Sequence, residues 1–182
     1  MVRRLGRKIK DRLLELPVKD KIEEIVVDGV SQIVDEFFVS SNKPEMGSIV
    51  YCNLALAFEH TGIYVGRNKI VHLNGNGKIE EVGFNRFVNR LDGANPAISI
   101  YCAVDSNNEP ISNRLVAERA LSLLGTRRDY NLLLDNCHKF TYYCMTGDTL
   151  PIVTFNTIEA ALKETTMFHG WRVVDWDQPN KL

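Results

Sequence analysis

The 182-residue chain has no window of the roughly 18 uninterrupted apolar residues that a membrane-spanning helix needs, so no segment reads as a span. Its four cysteines, Cys52, Cys102, Cys137 and Cys144, include no CxxC pair, which excludes the usual spacing of structural zinc and of redox dithiols. It also lacks an excess of either charge. With 22 Lys and Arg against 23 Asp and Glu, the net charge is −1, and the basic footprint of a nucleic-acid binder is missing. Arg3, Arg4, Arg7, Lys8 and Lys10 give the basic start of a signal peptide, but Asp11, Arg12 and Glu15 interrupt the apolar stretch that should follow. These absences point to reduced thiols and a cytoplasmic location, with no metal or cofactor called for. Hydrophobic residues at 45% suffice for one core, and the length suits a single domain with a short extension.

Apolar positions at helical spacing predict a helix over residues 3–16, stopped by Pro17, and a second over 18–38. The polar run from Ser40 to Pro44 then separates an N-terminal helical extension, 1–43, from a main domain, 44–182. β-Branched and aromatic runs predict strands over 49–54, 61–65, 69–73 and 98–104. Short helices are expected over 84–90 and 157–164, and a firmer one over 111–124, ended by Gly125. Asp135 or Asn136 can cap a further helix running to Met145 and closed by Gly147. The fold class is therefore α+β, an antiparallel sheet packed against helices.

That capped helix places Cys137 on its first turn, where unpaired amides and the helix dipole favour a thiolate and can hold an oxyanion. A thiol nucleophile needs a base, and the base a third group to fix its tautomer. His60 and His72, twelve residues apart in a hairpin, are the candidates. A two-residue loop at Arg67 and Asn68 would put them on opposite sheet faces, whereas an odd-numbered loop puts them on one. The apolar set Ile63, Val65, Val71 and Leu73 favours the odd loop, leaving His60, Tyr64 and His72 together on the other face. In that arrangement the imidazoles are directly opposite or diagonal neighbours. Cys52 and Cys102, in expected strands, read as packing residues, as does Cys144 beside Tyr142 and Tyr143. Tyr51 is a candidate polar contact to the site, and Asn74 an alternative to His72 for orienting His60.

The ordered set of motifs resembles the lecithin:retinol acyltransferase-like domain, a permuted relative of the NlpC/P60 papain-like thiol enzymes. Gly47-Ser48-Ile49-Val50 resembles the family's opening strand, His60-Thr61-Gly62-Ile63-Tyr64-Val65-Gly66 its histidine strand, and Ile70-Val71-His72-Leu73 the strand with its second histidine. Leu123-Leu124-Gly125 and the segment from Tyr130-Asn131 to Asn136-Cys137-His138-Lys139-Phe140 complete a resemblance over about residues 44–147. It implies Cys137 as nucleophile, His60 as base and His72 as the orienting residue. Members often carry Glu-His after the cysteine where this chain has His138-Lys139, which bears on pocket charge and substrate choice.

The expected activity is cysteine-dependent acyl transfer through an acyl-thioester on Cys137. The resemblance favours an acyltransferase or phospholipase A-type hydrolase on lipid acyl esters. A peptidase or amidase of NlpC/P60 type is the alternative, and a non-catalytic membrane or protein interaction module the third reading. No apolar C-terminal anchor is seen, so a membrane substrate would be met from solution or by a basic, amphipathic stretch at residues 1–16.

Overall fold

The structure, a computed structural model, describes residues 42–54, 58–89, 99–129, 131 and 136–176. The two expected N-terminal helices lie outside them, as does residue 98, where the fourth expected strand was to begin. The described strands are β1 (Ile49–Leu54), β2 (Phe58–Gly66), β3 (Lys69–Leu73), β4 (Ile79–Gly83), β5 (Tyr101–Val104) and β6 (Gly170–Val173). They form one antiparallel sheet in the order β4-β3-β2-β1-β5-β6. Four helices are described: α1 (Phe84–Val88), α2 (Arg114–Ser122), α3 (Cys137–Thr146) and α4 (Phe155–Thr165). The α+β class read from the sequence holds.

Strand alternation sorts the core into two layers. Ile49, Ile63, Val65, Val71, Leu73 and Ile79 pack with Val116, Ala120, Phe140, Cys144, Ile158 and Leu162 of the three longer helices. On the opposite face Val50, Cys52, Tyr64, Ile70 and Val82 meet Phe84, Phe87 and Val88 of α1. Both faces are thus buried, and the polar groups between them need partners within the protein.

Two strands were not foreseen. In β4 the sequence Ile-Glu-Glu-Val-Gly puts two carboxylates in a five-residue run, a weak strand signal until the neighbouring β3 supplies its ladder. β6 is four half-buried residues that pair with β5 across more than sixty positions of sequence, a contact that no local pattern encodes. The helix expected over 111–124 is shorter, because Asn113 has extended backbone and caps it by accepting from the Leu115 amide at 2.9 Å. The last helix starts two residues earlier than expected, since Thr154 and Thr157 form a reciprocal capping box.

The β2–β3 hairpin corrects the expected loop. Gly66 pairs with Lys69 around a two-residue turn, Arg67-Asn68, in which both residues have positive φ (53° and 57°). That is the loop set aside from the sequence because the apolar set Ile63, Val65, Val71 and Leu73 favoured an odd-numbered one. A bulge between Tyr64 and Gly66 inserts one extra residue on β2 and reverses the parity, giving Tyr64↔Ile70 and Ile63↔Val71. The alternation of apolar residues read from the sequence is therefore kept, but by a tight turn plus a bulge.

Candidate active site

The imidazoles of His60 and His72 are buried, at 2% and 1% exposure, and His60 Nε2 lies 3.1 Å from His72 Nδ1. The register extended one residue beyond Ile63↔Val71 sets Gly62 opposite His72, so the rings meet as diagonal neighbours. They are nearly perpendicular, and both pack on the ring of Phe87, which α1 holds beneath them. Directly across from His72 is Glu80 of β4, with His72 Nε2 3.8 Å from Glu80 Oε1. The Asn74 side chain donates to that same Oε1 at 2.9 Å, while its own oxygen accepts from the amides of Asn76 and Lys78. Asn74 thus orders the β3–β4 turn and Glu80, whereas His60 Nε2 meets His72.

Cys137 opens α3 and is 5% exposed. Asn136 caps the helix, its side chain accepting from the Lys139 amide at 3.0 Å and donating to the Val153 carbonyl at 3.3 Å. At the other end Gly147, in the left-handed region, returns its amide to Tyr143 O. Arg119 adds two hydrogen bonds to the last carbonyls, Cys144 O and Met145 O, a cation placed where the helix dipole favours one. The first two turns of α3 are tied to β2 by hydroxyls: Thr141 Oγ1 donates to Thr61 Oγ1 at 3.0 Å, and Thr61 Oγ1 lies 3.2 Å from His138 Nδ1. The residues that follow His60 and Cys137 in sequence are therefore in direct contact. Alternation along β2 turns Thr61 toward α3 and the His60 ring toward Phe87. The structure joins His60 to His72 by a hydrogen bond and brings Cys137 to the same strand through the Thr61–His138 contact.

His138 also stands near the thiol, with Nδ1 4.0 Å from Cys137 Sγ. Burial lowers its pKa from the ordinary 6.5 to about 4, so its ring is neutral at physiological pH. The unfolded chain takes up this proton near pH 6.5 and the folded chain only near 4. Between those values the unfolded state binds more protons, so this group's contribution to stability is complete above 6.5 and lost as pH falls toward 4. Thermal unfolding from pH 7 to pH 4 should therefore show a larger loss of Tm for wild type than for His138→Gln. Equal losses would mean that the ring is not kept neutral by the fold.

The other cysteines behave as packing groups. Burial pushes Cys102 and Cys144 up to about 12, which leaves no thiolate at neutral pH, and Cys52 points its thiol at the Phe87 carbonyl. Tyr51, considered as a polar contact, instead packs its ring 4.8 Å from each of Tyr101, Phe155 and Trp171, and burial raises its hydroxyl pKa. Glu80, Arg86 and Thr61 escaped the sequence reading. The Asn-Gly-Asn-Gly run after Leu73 was the available signal for a hairpin that returns Glu80 to His72.

Among the described residues no helix is long and apolar enough to cross a membrane. In a comparison with protein families, residues 42–150, more than half of the chain, match the family described as lecithin retinol acyltransferase. No curated protein matches the chain.

Proposed function

Because the chain belongs to the lecithin retinol acyltransferase family, we propose that it transfers acyl groups through a thioester on Cys137, with a phospholipid-type ester as donor. The observation that carries this is the buried His60–His72 pair across β2 and β3, with the Cys137-bearing turn of α3 bonded to β2 through Thr61. With Nε2 of His60 engaged by His72, this reading gives the thiol proton to Nδ1, the nitrogen left to it. The thiolate attacks the ester carbonyl, and the partial positive charge of the first-turn amides of α3 stabilises the oxyanion. Collapse of that intermediate returns the proton from His60 to the departing alcohol and leaves the acyl-thioester. Water, or an acceptor amine or hydroxyl deprotonated by the same imidazole, then releases the acyl group.

His138, with Nδ1 4.0 Å from the thiol sulfur, is a second candidate base. A pKa near 4 makes it a weak one at neutral pH, and its Nδ1 is already engaged by Thr61. The base role therefore goes to His60. Residues 44–182 would carry this chemistry in the cytoplasm, and the basic residues of 1–16 would meet anionic headgroups at a membrane surface.

The test is to mix the full chain with phosphatidylcholine in detergent micelles, quench in acid and map peptides by mass. One acyl mass on the Cys137 peptide, removed by hydroxylamine and missing from Cys137→Ala, is the expected result. Fatty-acid release that persists in Cys137→Ala would overturn the thioester.

A further inference from the structure

We infer that Glu80 is a positioning residue for the imidazole pair, acting through His72. This rests on the assignment of His60 as base. The ladder places Glu80 directly opposite His72, its Oε1 is 3.8 Å from His72 Nε2, and the His72 side chain is 1% exposed. Glu80 is itself held from two sides: Asn74 donates to Oε1 at 2.9 Å and Arg86 to Oε2 at 3.2 Å. Glu80 thus stands between the exposed guanidinium of Arg86, 3.2 Å from Oε2, and the buried His72, whose Nε2 is within ion-pair distance and whose Nδ1 meets His60.

The proton inventory decides what Glu80 does. To receive the thiol proton on Nδ1, neutral His60 must carry its own proton on Nε2. That N–H needs an acceptor, and His72 Nδ1 is 3.1 Å away. His72 accepts there only if its proton sits on Nε2, the nitrogen that faces Glu80. A carboxylate offers lone pairs and no donor, so it selects this tautomer. With an apolar side chain at position 80, His72 can instead carry its proton on Nδ1 and donate it to His60 Nε2. The His60 proton then moves to Nδ1, the side from which the thiol must be deprotonated. When His60 becomes imidazolium during acylation, the Glu80 charge also favours that cation through His72.

Long-range proton–nitrogen correlation spectra of the nitrogen-15-labelled full chain read the tautomers directly. Wild-type His72 is expected as the Nε2–H form at pH 8. Glu80→Met should shift it to the Nδ1–H form and slow iodoacetamide alkylation of Cys137 at pH 7 by about tenfold or more. If that variant does not fold, the wild-type spectrum decides alone, and a wild-type His72 in the Nδ1–H form overturns the inference. A Cys137 that is reactive and sensitive to His60→Ala, yet indifferent to Glu80→Met, overturns the role of Glu80 alone. A wild-type Cys137 that is inert, or indifferent to His60→Ala, overturns the thiol–imidazole reading and this inference with it.

Discussion

His60→Ala is expected to slow alkylation and acylation of Cys137 by about 10²–10⁴-fold near neutral pH, the range that a positioned general base contributes. His138→Gln should change the same rates by less than about tenfold. The contrast follows from protonation and hydrogen-bond partners together. His138 is 4.0 Å from the sulfur, but burial holds its pKa near 4 and a hydroxyl occupies its Nδ1. His60 has the partner arrangement that a triad base requires, its second nitrogen fixed by His72 at 3.1 Å. Site-resolved alkylation with iodoacetamide, read by peptide mass spectrometry from pH 5 to 9, compares the two variants. A larger loss in His138→Gln than in His60→Ala would move the base role to the helix. Because His60 and His72 are both buried, truncating one leaves the other with an unmatched polar group, so each rate is compared at a temperature where the variant is folded by near-ultraviolet circular dichroism.

Gly47→Ala is expected to destabilise the protein by about 3 kcal/mol or more, through both backbone strain and collision. Gly47 has φ +92°, which L side chains rarely adopt, and an added Cβ would sit 2.0 Å from Asn113 O and 2.5 Å from Asn113 C. Neither atom can swing aside as a flexible side chain would, because Asn113 is the cap of α2. The Gly47 amide also donates to Tyr64 O at 2.8 Å, so a shift at residue 47 pulls on β2 as well. For a domain of this size such a loss lowers Tm by roughly 6–12 °C, measurable by calorimetry. A change below about 1 kcal/mol would mean that α2 can retreat from the turn without cost.

The sequence by itself determined the elements whose periodicity and caps are local. The β-branched runs of β1 and β3 and the Asn136 cap ahead of Cys137 are all read within a few residues. The family was equally legible, because Gly47, His60, His72 and Cys137 keep their order and spacing whatever the chain does between them. The same-face placement of the two histidines was deduced from apolar alternation, which reports burial directly. The device that achieves it, a two-residue turn with a bulge, was not, because turn and bulge compensate and leave the alternation unchanged.

Only the tertiary structure decided which polar groups answer one another. β4 carries two adjacent carboxylates and was given no element until pairing with β3 made it a strand and set Glu80 against His72. His138 read as a substitution in a motif until burial made it neutral and the Thr61 hydroxyl, itself bonded by Thr141, met its ring. Tyr51 read as a polar candidate until three aromatic rings from β5, α4 and β6 closed around it. In each case the controlling neighbour is distant in sequence. A side chain's exposure, protonation and hydrogen-bond partners are set by what packs on it, and local sequence carries only its own half of such a pair.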